Sequence, residues 1–293
     1  MNWDDLKIFL AVARAGQLLG AAKRLGLNHA TVARRVTALE QATGGLLFHR
    51  QTSGSTLTSA GERLLEIAER IEAEINGAQA AVAPAEAAIA GTVRIGAPDG
   101  FGVAFLAPHL AGLTEKHPSL QVQLVPVPRS FSLSRHEADI AITVDRPSEG
   151  RLVASKLVDY SLQLFASKTY AARHGKPQTA ENLSEHRLVG YVSDLVINPS
   201  LDYASEFSAE WSASFQISST IGQVEAVRAG AGIGILHSFI GRAHDDLIAL
   251  DLFEPVRRAY WIVYHESARS LPQIRAAVSF IQQTVSANRE IFA

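Results

Sequence analysis

Apolar residues near the N-terminus recur three or four positions apart, which is the spacing of amphipathic helices. They predict one helix from about Asp4 to Arg14, a second that ends at Gly26, and a third that begins after the N-cap residue Asn28. The short turn between the last two makes them a helix-turn-helix. The apolar positions are Leu6, Phe9, Leu10 and Ala13 in the first helix, Ala21, Ala22 and Leu25 in the second, and Val32, Val36 and Leu39 in the third.

Two short apolar runs follow at 46–50 and 56–58, separated by a polar turn that contains a glycine. They predict a β-hairpin that would form a wing beside the DNA backbone. The outer face of the third helix has hydrogen-bonding and cationic side chains in its first two turns, the part that reaches base edges in the major groove. The alternative is a three-helix module for protein interaction.

Charge is distributed unevenly along the 293-residue chain. The first 60 residues hold seven Lys and Arg and three acidic residues, whereas the remaining 233 hold 20 basic and 26 acidic residues. A basic segment on an acidic body is expected when one end of a protein meets a polyanion. Together with the helices and the wing, the local charge favours DNA binding over protein docking.

An ordered set of motifs runs through the first 60 residues without a gap: Leu6-x-x-Phe9, Gly16, Ala21-Ala22-x-x-Leu25, Val32-x-Arg34-Arg35-Val36-x-x-Leu39-Glu40, Gly44, Leu47-Phe48-x-Arg50 and Leu57-Thr58-x-x-Gly61. In order and spacing this set resembles the LysR-type transcriptional regulators. The resemblance implies base contacts from His29, Ala30, Ala33 and Arg34, and phosphate contacts from Gln17, Arg35 and Arg50. The full predicted DNA-binding set is Gln17, Asn28, His29, Ala30, Thr31, Ala33, Arg34, Arg35 and Arg50.

Some positions depart from the family pattern. The family usually has Ser or Thr at Leu19, Gln at His29 and Ser at Ala33. It also usually has an Arg in the wing, where this chain has Ser53 or Thr56. Fewer hydroxyl and cationic contacts should weaken phosphate binding and flatten its salt dependence.

A long helix is predicted immediately after the hairpin. Ser59-Ala60-Gly61-Glu62 has the spacing of a capping box, and Pro84 should end or kink the helix near Ala83. Its apolar residues alternate four and three apart, which is typical of a helix that pairs with a second copy, although it could pack on its own domain. The family uses this helix as its dimer linker. The predicted seam is Leu64, Ala68, Ile71, Ile75, Ala78, Val82, Ala85 and Ile89.

From Gly91 onward, β-rich runs alternate with helical stretches, which predicts an α/β body with mainly parallel strands. The resemblance, weaker here, implies a two-lobed effector domain like a periplasmic binding protein, with crossovers near Tyr160 and Glu266. The predicted strands are 92–96, 121–125, 138–143, 162–165, 233–236 and 261–264, and the helices are 105–117, 221–229 and 272–287.

The predicted fold class is therefore a multidomain α+β chain with three parts. Residues 1–58 form a winged helix-turn-helix domain and 59–90 a linker or dimerisation helix. Residues 91–293 form the two-lobed α/β effector domain, with lobe 1 at about 91–160 and 267–293 and lobe 2 at about 161–266.

Ligands of α/β folds bind at the carboxyl ends of strands and near helix N-termini, a rule that selects positions in this chain. Many relatives place Ser or Thr near Asp99 to hold a carboxylate, whereas an Asp would repel an anion unless Arg129 or Arg146 offsets it. The alternatives are a helix N-cap for Asp99 and a salt bridge at a turn for Arg146. The predicted effector-binding residues are Asp99, Gly100, Phe101, Arg129, Ser130, Asp145, Arg146, Ser219 and His237.

Enzymatic motifs are weak in this chain. The chain has no cysteine, which excludes disulfides, thiolate metal sites and thiol catalysis. Gly230-x-Gly232-x-Gly234 lies on the wrong side of its helix for dinucleotide binding, and His244-Asp245-Asp246 is more typical of a solvated helix end than of a metal site. We predict no catalytic residue, no metal and no cofactor. An α/β enzyme with a regulatory head stays as a third hypothesis.

The predicted function is a DNA-binding transcriptional regulator modulated by a small-molecule effector. The alternative is a small-molecule binding module with an N-terminal protein-docking domain. The expected partners are double-stranded operator DNA, the effector and a second copy of the chain, in a dimer or a tetramer. Acidic residues follow the initial Met1-Asn2-Trp3, and no apolar run approaches the 18 or so residues of a membrane helix, so we expect a cytoplasmic protein without membrane contact.

Overall fold

The computed structural model describes residues 2–51, 54–82, 89–127, 138–147, 150–195, 203–208 and 211–292. An N-terminal head contains three helices and a hairpin, as the apolar spacing predicts. Its elements are α1 (Trp3–Ala15), α2 (Leu18–Leu25), α3 (His29–Thr43), β1 (Phe48–Gln51) and β2 (Gly54–Leu57).

The turn between α2 and α3 is fixed by local hydrogen bonds. Gly26 ends α2 in the left-handed conformation with φ of 64°, and the amide of Leu27 donates to the carbonyl of Ala22 at 3.0 Å. Asn28 then caps α3, since its Oδ1 accepts from the amide of Ala30 at 2.9 Å. The head core beneath this turn includes Phe9 and Phe48, whose ring centroids lie 5.3 Å apart, so α1 and the hairpin pack on each other.

A long helix, α4 (Ser59–Val82), leaves the head. Its first turn is held by Thr58, whose Oγ1 accepts from the amide of Gly61 at 3.0 Å, so the cap lies one residue before the predicted Ser59. The first half of the predicted seam packs on the head core, where Ala68 is fully buried. In the second half, Ala78 is exposed and Val82 is 83% exposed, whereas Ile75 is half-buried and Ile89, beyond the described end of α4, packs on the body core. The predicted helix end near Ala83 and the seam residue Ala85 lie outside the described residues.

The C-terminal body is built on a nine-stranded sheet in the order β4-β3-β5-β11-β6-β9-β7-β8, with β10 paired to β6. The strands are β3 (Gly91–Pro98), β4 (Leu120–Val127), β5 (Ile140–Thr143), β6 (Leu152–Ser167), β7 (Leu188–Gly190), β8 (Phe215–Gln216), β9 (Ile233–His237), β10 (Leu247–Leu250) and β11 (Val256–His265).

Helices cover the sheet. They are α5 (Asp99–Phe101), continued through a π-helical turn (Gly102–Leu106) into α6 (Ala107–Lys116), then α7 (Lys168–His174), α8 (Ala204–Phe207), α9 (Thr220–Arg228), α10 (Ser238–Gly241) and α11 (Pro272–Ala287). Single 3₁₀ turns cover Glu181–Glu185, Ser193–Leu195, Glu266–Ala268 and Arg289–Phe292.

Two long antiparallel strands, β6 and β11, run through both lobes of the body. On one side β11 pairs with β5, and β5 pairs with β3 in parallel; on the other side β6 pairs with β9, and β9 pairs with β7 in parallel. We call the β3–β5 side the first lobe and the β7–β10 side the second lobe. The expectation of mainly parallel strands is wrong, because the two shared strands pair antiparallel with each other and with their neighbours.

The glycine-rich run between α9 and β9 has a packing role. A Cβ atom at Gly232 would lie 2.3 Å from the carbonyl oxygen of Arg187, and one at Gly234 would lie 2.6 Å from Val227. Glycine therefore lets α9 and β7 approach β9 closely. In the nearby His-Asp-Asp run, Asp246 forms an ion pair with Arg228 at 3.0 Å. Within the described ranges, no three possible metal-ligating side chains come together and no helix is long and apolar enough to cross a bilayer.

Candidate functional site

The N-terminal half of α3 presents a polar face to solvent. Val32 and Val36 point into the head core, which leaves His29 and Arg34 exposed on the outer side. The predicted residues on this outer side are Asn28, His29, Ala30 and Arg34, which are exposed, and Thr31, Ala33 and Arg35, which are half-buried. This face is accessible to a partner as large as a DNA groove.

Two of the predicted DNA-binding side chains already have partners within the head. Asn28 uses its carboxamide oxygen to cap α3. Arg35 forms an ion pair with Asp5 of α1 at 2.9 Å and leaves 40% of its side chain exposed. This pair holds α3 against α1 and orients the guanidinium beside the recognition face. The side chain of Arg50 lies outside the described residues.

The wing is attached to the helices at two places. The buried carboxylate of Glu40, near the end of α3, accepts from the amides of Leu47 at 2.9 Å and Phe48 at 3.3 Å. The amide of Ser55 in β2 donates to the carbonyl of Gly16 at 2.7 Å. These bonds fix the hairpin next to the exposed Gln17 at the start of α2. The exposed face of α3 and the wing therefore form one surface.

A second candidate site lies where the two lobes of the body meet. Asp99, directly after β3, is only 8% exposed, and its Oδ2 accepts from the Oγ of Ser219 at 2.7 Å. The backbone amide of Ile221 is 3.5 Å from the same oxygen. Sequence reasoning predicts Asp99 and Ser219 in one cleft, and the structure brings them into contact. The N-cap of α5 is Pro98, so Asp99 does not cap its own helix.

Neighbouring residues close this contact tightly. A Cβ atom at Gly100 would lie 2.8 Å from Cγ2 of Thr220, so only glycine permits this approach of α5 to α9. Thr220 also shares a hydrogen bond of 2.5 Å with the hydroxyl of Tyr191. Burial raises the pKa of Tyr191 to about 12, so this hydroxyl stays protonated at neutral pH.

Aromatic rings form a stack across the shared strands. Phe101 in the first lobe lies 4.4 Å from Tyr260 of β11, Tyr260 lies 4.1 Å from Tyr160 of β6, and Tyr160 lies 5.1 Å from His237 at the end of β9. All four side chains are buried. The stack joins the predicted residues Phe101 and His237, which belong to opposite lobes.

His237 is a neutral ring in this environment. Burial lowers its pKa to about 4, and the negative charge of Asp99 opposes that shift only in part. Its Nδ1 atom is buried and has no hydrogen-bond partner. A ligand group that reached this atom would meet an unsatisfied polar position.

The remaining predicted cleft residues are placed differently. Arg146 is exposed and lies over the ring of Trp261 at 5.7 Å, rather than in the salt bridge considered for it. Asp145 is exposed, and its charge contributes to the raised pKa of Tyr160, after the larger effect of burial. Arg129 and Ser130 lie outside the described residues.

The sequence predicts Phe101 and His237 in this site but not its tyrosines. It identifies Tyr160 only as a crossover, and it does not identify Tyr191, Tyr203 or Tyr260 as site residues. They come from different parts of the body and meet only in the folded chain. The sequence signal for Tyr160 and Tyr260 is their position just before the β-rich runs 162–165 and 261–264, which by itself indicates core as readily as a site.

A buried polar network joins the head, α4 and the body. Arg14 of α1 donates to Glu72 at 2.9 Å and lies 3.9 Å from Glu69, while Nε2 of His265, at the end of β11, lies 3.4 Å from the other oxygen of Glu69. Burial raises the pKa of the Glu69 carboxyl, but the hydrogen bond from His265 and the charge of Arg14 outweigh burial and leave that pKa below its usual value. Glu69 therefore contacts both the head and the body.

These features define a class of architecture: a winged helix-turn-helix head joined by a long helix to a two-lobed α/β body whose lobes meet at a polar and aromatic cleft. The family of bacterial regulatory helix-turn-helix proteins, lysR family, matches residues 3–62. The LysR substrate binding domain matches residues 86–286. The chain belongs to the LysR family, which confirms the resemblance seen in the N-terminal motifs.

Characterised relatives are transcriptional regulators. An HTH-type transcriptional regulator of Xanthomonas campestris pv. campestris is 34% identical over 184 residues, which cover 63% of this chain and 54% of that protein. CrgA, an HTH-type transcriptional regulator of Neisseria meningitidis serogroup C, is 28% identical over 197 residues, or 67% of this chain and 66% of CrgA. The chain thus matches between about half and two thirds of the length of these relatives.

Solved structures share the architecture over nearly the whole chain. CrgA from Neisseria meningitidis aligns with a TM-score of 0.61 at 25% identity, over 97% of this chain and 99% of CrgA. A full-length OxyR variant from Pseudomonas aeruginosa aligns with a TM-score of 0.71 at 19% identity, over 97% and 94% of the two chains. The second likeness concerns the fold alone. Together they support the predicted multidomain α+β fold.

Proposed function

We propose that this protein is a transcriptional regulator whose head binds duplex DNA and whose inter-lobe cleft binds a small-molecule effector. The observation that carries the proposal is the surface formed by the exposed N-terminal half of α3 and the anchored wing. A helix presented in this way enters the major groove, while a wing contacts the backbone. The basic excess of the first 60 residues supports the same partner.

In this proposal, base contacts come from His29, Ala30, Ala33 and Arg34, and phosphate contacts come from Gln17, Arg35 and Arg50. Asn28 and Thr31 complete the surface at the start of α3. The effector site comprises the cleft residues around Asp99, Ser219 and His237, with the other predicted positions Gly100, Phe101, Arg129, Ser130, Asp145 and Arg146.

Each of the three segments of the chain has one proposed role. Residues 1–58 bind DNA, 59–90 link and pair two copies, and 91–293 bind the effector, in lobes divided near residues 160 and 266. The exposed seam residues Ala78 and Val82 near the end of α4 support pairing with a second copy. A dimer suits recognition of two half-sites, and two dimers would form a tetramer. We propose a cytoplasmic location, where operator DNA is accessible.

The direct test is a fluorescence-anisotropy titration of the full-length protein at two salt concentrations. The probes are the intergenic DNA upstream of its own gene and a random-sequence duplex of equal length. We expect tighter binding to the upstream DNA, with affinity that falls as salt rises. If neither duplex binds even at low salt, the DNA-binding proposal is wrong and the protein-docking alternative takes its place.

Two head variants separate base contacts from phosphate contacts. Arg34→Ala should weaken binding by about 10-fold and change the preferred sequence, because base contacts carry roughly 1–3 kcal/mol of discrimination. Arg50→Ala should weaken binding to all sequences alike and reduce the salt slope by about one. Arg173→Ala, an exposed arginine on α7 of the body, is the matched control and should bind like wild type.

A further inference from the structure

The cleft contains a carboxylate that belongs to the chain itself. Helix α9 has nine residues, and its N-cap Ser219 accepts from the amide of Gly222 at 3.1 Å while its hydroxyl donates to Asp99 at 2.7 Å. The amide of Ile221 points at the same carboxylate oxygen. Helix N-termini stabilise negative charge through such orphan amides and the helix dipole. Asp99 of the first lobe therefore occupies an anion position on the second lobe.

The two lobes are in contact around this carboxylate. Gly100 lies against Thr220 so closely that a Cβ atom would be 2.8 Å from its methyl group. Thr220 and Asp99 are both buried, as is the neighbouring His237. The Asp99–Ser219 hydrogen bond is thus a direct contact between the two lobes.

The surrounding charges do not favour a second anion. No Lys or Arg in the described part of the chain forms an ion pair or hydrogen bond with Asp99. His237 is neutral, and its buried Nδ1 has no partner. A carboxylate placed next to Asp99 would meet a like charge at short range that no Lys or Arg among the described residues offsets, which is costly in a buried site.

We propose that Asp99 acts as an internal carboxylate ligand of the α9 N-terminus. Its hydrogen bond to Ser219 joins the two lobes, and its charge restricts the cleft to effectors that present a neutral or cationic group at this point. The inference rests on the proposed function in one respect, namely that the inter-lobe cleft is the effector site. It makes Asp99 a determinant of effector charge, since removal of its side chain would free an anion position.

Chemical rescue of full-length variants tests the inference. Asp99→Ala removes the carboxylate and leaves space for a small one, so sodium formate and sodium acetate should each raise the melting temperature of this variant in a saturable way. An effect of about 4 °C is expected from an anion at a partly buried helix N-terminus. Sodium chloride at the same ionic strength should not reproduce it, and wild type should show no saturable rise with either carboxylate.

Three further variants keep the test decisive. Asp99→Ser also leaves space and should respond like Asp99→Ala, which covers the case in which one of them folds poorly. Asp99→Asn fills the position with a neutral group and should not respond. Asp245→Ala removes an exposed aspartate in the turn between α10 and β10 and should behave like wild type. A rise in wild type equal to that in Asp99→Ala, or no rise in either cavity variant, overturns the inference.

The same samples separate this inference from the proposed function. If wild type binds the upstream DNA but neither cavity variant responds to carboxylates, the internal-ligand inference is wrong and the regulator proposal stands. If carboxylates stabilise the cavity variants while no DNA binds, the internal ligand stands and the regulator proposal is wrong.

Discussion

Burial decides the chemistry of His237. The folded protein holds the pKa of this ring at about 4, mainly because burial disfavours the charged form, whereas an unfolded chain binds the proton near the ordinary value of 6.5. Between these values the unfolded state binds more protons than the folded state. The free energy of unfolding therefore falls as pH drops from about 6.5 to about 4.

We expect His237→Phe to reduce this acid sensitivity. Phenylalanine can keep the stacking on Tyr160 but cannot bind a proton, so the part of the stability loss due to His237 should disappear. The difference should reach about 2.5 kcal/mol at pH 4.5, because the pKa of the ring is about 4 in the folded chain and about 6.5 in the unfolded chain. Urea unfolding at pH 7, 5.5 and 4.5 measures it. If the free energy of unfolding falls equally steeply with pH in wild type and variant, His237 is not the source of the acid sensitivity.

A single hydrogen atom decides how closely the lobes approach at Gly100. In Gly100→Ala the new methyl group would overlap Thr220, which is buried and β-branched and has little freedom to move. We expect a loss of about 1–3 kcal/mol in the free energy of unfolding. Gly112→Ala in α6 is the matched control, because its Cβ would make an ordinary 3.4 Å contact with Phe280 and its stability should not fall. Similar stabilities for the two variants would refute the steric argument.

At the scale of elements, the wing depends on one buried acid. Glu40 accepts hydrogen bonds from two successive backbone amides, those of Leu47 and Phe48, as the chain enters β1. Without that acceptor, both amides would be buried without a partner. The position of the wing relative to α3 is therefore set by a side chain that carries no DNA contact in the proposed interface.

We expect Glu40→Ala to destabilise the head by about 2–3 kcal/mol and to weaken DNA binding by loosening the wing. Glu40→Gln keeps an acceptor oxygen and should lose less stability and less DNA affinity than Glu40→Ala. Glu62→Ala, an exposed glutamate in the first turn of α4, is the control and should change stability little. Urea unfolding and the anisotropy titration measure the two effects. DNA affinity in Glu40→Ala equal to wild type would contradict the anchoring role.

The sequence predicts long periodic elements well and short or assembled features poorly. The three head helices and α11, predicted at 272–287, appear with nearly the expected bounds because their apolar spacing is regular. Strands β7, β8 and β10 have four residues or fewer and escape prediction, since so short a run has no period, whereas the equally short β5 is predicted because it belongs to the longer β-rich run 138–143. The rule that ligands bind at strand ends and helix N-termini assigns Asp99 and Ser219 to one site, but their hydrogen bond and the tyrosines beside it depend on tertiary packing.

At the scale of the whole molecule, one carboxylate connects three parts of the chain. Glu69 on α4 contacts Arg14 in the head and His265 at the end of β11. These side chains are about nine-tenths buried, so their interactions are weakly screened by solvent. A change in the position of β11 would therefore alter the contacts that α4 makes with β11 and with α1.

We expect Glu69→Gln to raise amide hydrogen exchange at both ends of this network, around Arg14 and around His265, because the charge that holds both partners is removed. Glu66→Gln, exposed one turn earlier on α4, is the matched control and should leave both regions as in wild type. If amide exchange rises only around Arg14 or only around His265, the contacts of Glu69 with these two residues are independent.

The shared strands β6 and β11 also limit how the lobes can move. Ten residues of β11 are in register with β6, and the ladder passes through the boundary between lobes with a single irregularity at Tyr260 and Trp261. Lobes joined by loops swing freely, but here any opening must bend or twist a hydrogen-bonded ribbon. Such a joint is elastic: it has one resting angle and resists departures from it. Because β11 ends at His265, a twist of the ribbon would act on α4 as a torque, and the rotation delivered to the head would be small and of fixed direction.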